Sequence, residues 1–125
     1  MRDEHLIALE VVARARYPGL FLHFDCPLES LGLPGLNADI VAAESPSLSP
    51  ERVVAVGLVS FGGVRPGKIP TSWTEILKNS KDKPWRIDVY VPKGNTTTAR
   101  QTLGKEWPWA RVVPLPPDRV FEDGY

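Results

Sequence analysis

Carboxylates at the borders of apolar runs are the first residues in this chain that could do chemistry. Asp39 heads the run Asp39-Ile40-Val41-Ala42-Ala43. A carboxylate there can hold a divalent cation, or it can satisfy backbone N–H groups where a strand begins. Glu10 lies upstream on a helical stretch, and Asp25, Glu29 and Glu44 lie in loops; each is either a solvated surface charge or a carboxylate that could reach the edge where Asp39 stands. His23, Asp25 and Cys26 are near neighbours with metal-ligating side chains, but structural zinc takes four ligands and only His5 remains as another histidine. Cys26 is the single cysteine, so no internal disulfide forms, and no base for thiol activation is recognisable beside it.

Two further patterns bear on anions. Gly62-Gly63-Val64-Arg65-Pro66-Gly67-Lys68 has the spacing of a phosphate-binding loop after a strand. Ile69 replaces the Ser or Thr that would hold Mg²⁺, however, and Pro66 removes one N–H donor from the cradle. The segment reads instead as a flexible connection presenting Arg65 and Lys68. With Lys78, Lys81 and Lys83 they make a basic stretch that could meet nucleic-acid phosphates if it shares one face; otherwise it is a solvated helix and loop. Trp107-Pro108-Trp109 is short and stiff, and an exposed ring there would suit a partner surface or self-association.

The elements that must position these residues follow from hydrophobic period and turn chemistry. Residues 3–16 form a helix with Leu6, Leu9, Ala13 and Tyr17 on one face and Glu10 able to pair with Arg14. Pro18-Gly19 ends it. Strands are expected at 20–24, 38–43, 52–61, 85–91 and 110–113, the third uncharged after Arg52 and therefore central and covered on both faces. Residues 25–37 read as loop. Ser72-Trp73-Thr74-Glu75 has capping-box form and opens a helix to about Asn79, and Asn95 or Thr96 caps another that Gly104 stops. The order α-β-β-β-α-β-α-β is that of a mixed α/β sheet with flanking helices. One domain spans 1–113, and 114–125 is a Pro-rich C-terminal tail without regular structure.

Composition narrows the classes. The chain has 125 residues, with 15 Lys and Arg balancing 15 Asp and Glu, which provides no overall basic field for indiscriminate nucleic-acid binding. The apolar stretch Leu6 to Ala13, broken by Glu10, is neither a signal-peptide core nor a span of about 18 apolar residues. A cytoplasmic protein without membrane association is therefore expected.

The element order, taken with three segments, resembles the PD-(D/E)XK or restriction-endonuclease-like superfamily. Leu36-Asn37-Ala38-Asp39-Ile40-Val41-Ala42 looks like the strand opened by a catalytic Asp, with Ala38 where Pro is usual. Arg52-Val53-Val54-Ala55-Val56-Gly57 looks like the following strand, which normally carries the (D/E)XK tripeptide. Asp88-Val89-Tyr90-Val91-Pro92-Lys93-Gly94, then Ala99-Arg100, resembles the late strand and helix of small prokaryotic members. The resemblance implies Mg²⁺-assisted phosphodiester hydrolysis with Asp39 as first metal ligand. The acid and lysine positions, however, fall on Ala55 and Gly57, or on Gly57 and Val59. No Asp or Glu lies between Arg52 and Thr74, and the one Lys there is Lys68.

Two expectations follow. The first is a nuclease-like fold with a degenerate active site and no cofactor. It acts as an interaction or nucleic-acid-associated module, with Arg65, Lys68, Trp107 and Trp109 as contacts to nucleic acid, protein or a second copy. The second is a Mg²⁺-dependent nuclease whose ligands have moved to surround Asp39, with Glu10 as a helper.

Overall fold

In the computed structural model of the protein, residues 3–116 are described. Helix α1 (Asp3–Arg16) buries Leu9, Ala13 and, just past its end, Tyr17, which recur at four-residue spacing along one face. Gly19 at φ +80° then turns the chain back, a conformation that costs a glycine little.

Five strands follow in one sheet, and their spatial order is their chain order: β1 (Phe21–Pro27), β2 (Asn37–Ala43), β3 (Val53–Val59), β4 (Arg86–Pro92) and β5 (Ala110–Leu115). The first two junctions are antiparallel and the last two parallel. Parallel neighbours need crossovers, supplied by α2 (Thr71–Asn79) between β3 and β4 and by α3 (Thr96–Gly104) between β4 and β5. The fold is thus mixed α/β. Short 3₁₀ turns lie at Glu29–Leu31, Pro50–Arg52 and Lys93–Asn95.

Both faces of the sheet are covered, as the uncharged third strand requires. On one face Val41, Val56, Leu58, Ile87, Val89 and Val91 meet Trp73, Ile76 and Leu77 of α2, Ala99 and Leu103 of α3, and Trp107. On the other, Leu9 and Ala13 of α1 pack over Ile40, Tyr90, Val113 and Leu115, while Tyr17 lies against Ala42 and Ala55. Among the described residues no helix is long and apolar enough to cross a membrane.

Four expectations need correction. Strand β1 runs beyond Phe24 into the expected loop, with Cys26 opposite Ala38 and Pro27 opposite Asn37. As an edge strand it tolerates the N–H missing from Pro27. The remainder of that segment is closed by the Leu28 N–H donating to Leu36 C=O at 2.8 Å, with Leu28, Leu31 and Leu33 buried beneath it. The capping box at Ser72 does not form: α2 starts at Thr71 behind Pro70, and no side chain bonds its first turn. Pro114 belongs to β5 rather than to the tail, again because the edge position asks for no donor. Asn95 precedes α3 but does not cap it; its amide is used elsewhere. Residues 117–125 of the expected tail lie outside the described residues.

Candidate functional site

The register of β1 and β2 places Asp25 opposite Asp39, between the pairs Phe24–Ile40 and Cys26–Ala38. Regular strands would keep Phe24 with Cys26, and Ala38 with Ile40, on common faces. Here Phe24 and Ile40 pack on the α1 side, while Cys26 and Ala38 join the core under α2 and α3. The alternation therefore breaks at the two aspartates. Asp25 takes φ +48°, the one positive φ outside glycine among the described residues. That conformation costs an L-residue about 1–2 kcal/mol, and Asp is among the residues that tolerate it.

The break turns both carboxylates toward a cavity of about 450 Å³, lined also by His5, Leu6, Phe24, Val59 and Phe61. The His5 ring stacks on Phe61 with centroids 3.8 Å apart. Asp39 Oδ2 accepts the Val59 N–H at 2.8 Å, tying the start of β2 to the end of β3. Burial pushes the Asp39 carboxyl above its ordinary value; the Val59 N–H opposes that shift, and the Asp25 charge adds to it. The arrangement can take a proton or share a cation, but it supplies two carboxylates only. Among the described residues no group of three His, Cys, Asp or Glu side chains converges on a metal-sized point.

The positions where the resembling architecture puts its acid and lysine lie on β3. Ala55 is buried against Tyr17 and Ala42. Gly57 is enclosed more tightly: a Cβ there would overlap Ile40 Cγ2 and stand 2.9 Å from Tyr90 Cε2. In the alternative register Val59 lines the cavity with an isopropyl group. On this strand, methyl groups and neighbouring rings occupy the space a ligand and a lysine would need.

A polar cluster unforeseen in the sequence sits beside Gly57. Asp88, its partner in β4, has no solvent exposure. Arg16 grips it with two bonds, Nε to Oδ2 at 3.0 Å and Nη2 to Oδ1 at 3.1 Å, and the Tyr17 hydroxyl donates to Oδ2 as well. The hydrogen bond to Asp88 raises the Arg16 pKa further, so that residue stays charged. Burial, reinforced by Asp88, raises the phenols of Tyr17 and Tyr90. Arg16 and the two tyrosines are thereby held in one protonation state near neutrality. The cluster thus fastens the end of α1 to the sheet.

The remaining candidates disperse. Glu10 pairs with Arg14 at 2.9 Å, in a shallow depression with Ile7 and Val11, and is not among the residues lining the Asp39 cavity. The helix presents His5 and Leu6 there instead. Arg65 and Lys68 are exposed on a tight turn, the Lys68 N–H donating to Arg65 C=O at 3.0 Å. The turn is anchored rather than loose, because Asn95 brackets Val64: its Oδ1 accepts the Val64 N–H at 2.7 Å and its Nδ2 donates to the Val64 C=O at 3.0 Å. Trp107 is 8% exposed and belongs to the core, which removes it from any outward contact. Trp109 is half-buried, and its indole N–H donates to Leu77 C=O at 3.0 Å. Cys26 is buried, which pushes its thiol pKa up and keeps it inert. His23 does not line the cavity that Asp25 faces.

No family model, curated protein or solved structure matches the chain.

Proposed function

We propose that the chain is a restriction-endonuclease-like domain without the hydrolytic centre of that architecture, working in the cytoplasm as a nucleic-acid-associated interaction module. The observation that carries the reading is Gly57, whose missing side chain is replaced by Ile40 and Tyr90. No side chain can enter there to orient water or offset developing charge. The succession of helices and strands, with Asp39 near the start of the second strand, supports the nuclease-like reading. The test is incubation with plasmid and single-stranded DNA in Mg²⁺ or Mn²⁺, alongside a binding measurement at about 50 mM salt, where phosphate contacts are strong. Binding without cleavage is expected. A chain that fails to bind, or one that cleaves, overturns the proposal.

A second reading rests on the paired aspartates. Asp25 and Asp39 face each other at a cavity, and Mg²⁺ is held in many sites by one or two carboxylates, its other positions filled by water and substrate phosphate. In a nuclease with relocated ligands these two residues would hold the ion, which would polarise the phosphate. Glu10 takes no part, being turned toward Arg14. Cleavage that both Asp39→Ala and Asp25→Ala abolish would establish this reading in place of the first.

A further inference from the structure

At the opposite end of the sheet from Asp39 lies a groove of about 350 Å³ whose charged lining residues are all cationic: Lys81, Lys83, Arg86 and Arg111. The fold assembles it from separate parts of the chain. Lys81 and Lys83 sit on the turn between α2 and β4, Arg86 opens β4, and Arg111 is the second residue of β5. The antiparallel β2–β3 pairing brings Asp39 to the end of β3, whereas Arg86 pairs with Ala55 near its beginning, so the groove and the carboxylate cavity are separate.

Among the described residues, nearby acids leave this charge uncompensated. Asp88, the strand neighbour of Arg111, is already engaged by Arg16 and Tyr17. Asp82 falls between the two lysines in sequence but does not line the groove. Among the described residues none of the four cations takes part in an ion pair with a carboxylate. Two indoles hold the ammonium groups without neutralising them. Lys81 Nζ is 5.9 Å from the Trp109 ring centre and Lys83 Nζ is 6.0 Å from that of Trp85. Trp109 is itself fixed by its bond to Leu77.

From this juxtaposition we infer that the groove binds the phosphodiester backbone of a single nucleic-acid strand, Lys81, Lys83, Arg86 and Arg111 contacting phosphates. The inference rests on the nucleic-acid-associated reading above and assigns its contact surface. A flexible single strand can lay successive phosphates into a concave channel, whereas a duplex presents them on a convex surface. Association through charge at one groove accords with a chain whose net charge is +0.

The experiment titrates the full chain into a labelled single-stranded oligonucleotide, followed by fluorescence anisotropy at about 50 mM salt and above. The double variant Lys81→Glu/Arg111→Glu is expected to bind at least about 10-fold more weakly. Its salt dependence should also be shallower, because every phosphate left without its cation takes about 0.7 from the logarithmic slope. Lys81→Arg/Arg111→Lys retains binding, and circular dichroism checks that each variant is folded. If the charge-reversed protein misfolds, Lys81→Gln/Arg111→Gln is read in its place. Lys93→Glu/Arg100→Glu, exposed and away from the groove, is expected to leave affinity within about 2-fold. Loss of binding in that variant with none in the groove variant overturns the assignment while leaving nucleic-acid association intact. Tighter binding to duplex than to single strand overturns the single-strand claim. Absence of binding by the wild-type chain overturns the function itself and the groove with it.

Discussion

Asp88 shows how strongly a single side chain can constrain this protein. It is fully buried, and each hydrogen bond that satisfies it comes from the end of α1. Arg16→Ala leaves the carboxylate without its countercharge and is expected to destabilise the fold by about 3–5 kcal/mol in urea denaturation. Tyr17→Phe removes one neutral donor and should cost about 1–3 kcal/mol. Titration acts on the other shifted groups in one direction, each losing stability as pH rises. The folded chain holds the Asp39 proton more tightly than the unfolded chain does, so this residue's contribution to stability falls as pH rises from about 4 through the higher folded value. Asp39→Asn retains an acceptor for the Val59 N–H and removes the titration. The difference in Tm between variant and wild type should therefore grow in favour of the variant from about pH 4 toward neutrality. Tyr17 and Tyr90 also hold their protons more tightly when folded, so stability declines again above about pH 10, and tyrosinate absorbance from these residues should rise together with unfolding.

At the scale of elements, Asn95 and Trp107 make contacts opposite to those their sequence positions suggest. Asn95 stands where a helix cap belongs, yet its amide clasps Val64 and so joins the loop after β3 to the turn after β4. Asn95→Asp keeps the acceptor and loses the donor; a cost of about 1–3 kcal/mol, read by thermal unfolding, is expected. Trp107→Ala should cost about 3–5 kcal/mol, as for a core aromatic, which a surface role would not produce. The helices and strands themselves were legible, because period and turn residues are local signals. Strand β3 stood out as an uncharged run, and α1 through its stripe and its Pro18-Gly19 stop. Contacts between distant segments leave no such trace. Arg16 and Asp88 are 72 residues apart, and nothing near either one identifies the other. The likeness of Ser72 to a capping box and the reading of Trp107 as an outward contact failed for a related reason. Local sequence states what a segment can do, and tertiary packing selects among those options.

For the whole molecule, the order β1-β2-β3-β4-β5 places β3 and β4 inside the sheet, with core residues on both sides. Native-state hydrogen exchange should therefore be slowest for the amides of Val56, Leu58, Val89 and Val91, and faster on the edge strand β1. The Asp39 carboxylate and the cationic groove occupy opposite ends of this sheet, so substitutions at one end should leave the other's properties unchanged within about 0.5 kcal/mol. The interlock of Gly57 with Ile40 and Tyr90 also limits which substitutions the sheet can accept one at a time. A lysine introduced at 57 alone meets two occupied volumes, while trimming Ile40 or Tyr90 alone opens a void in the core. Each single step is expected to lower stability before the combination can be tried. A long or charged side chain at 57 is thus reached only through a less stable intermediate, and the single substitutions that this strand accepts should be those that keep β3 smooth.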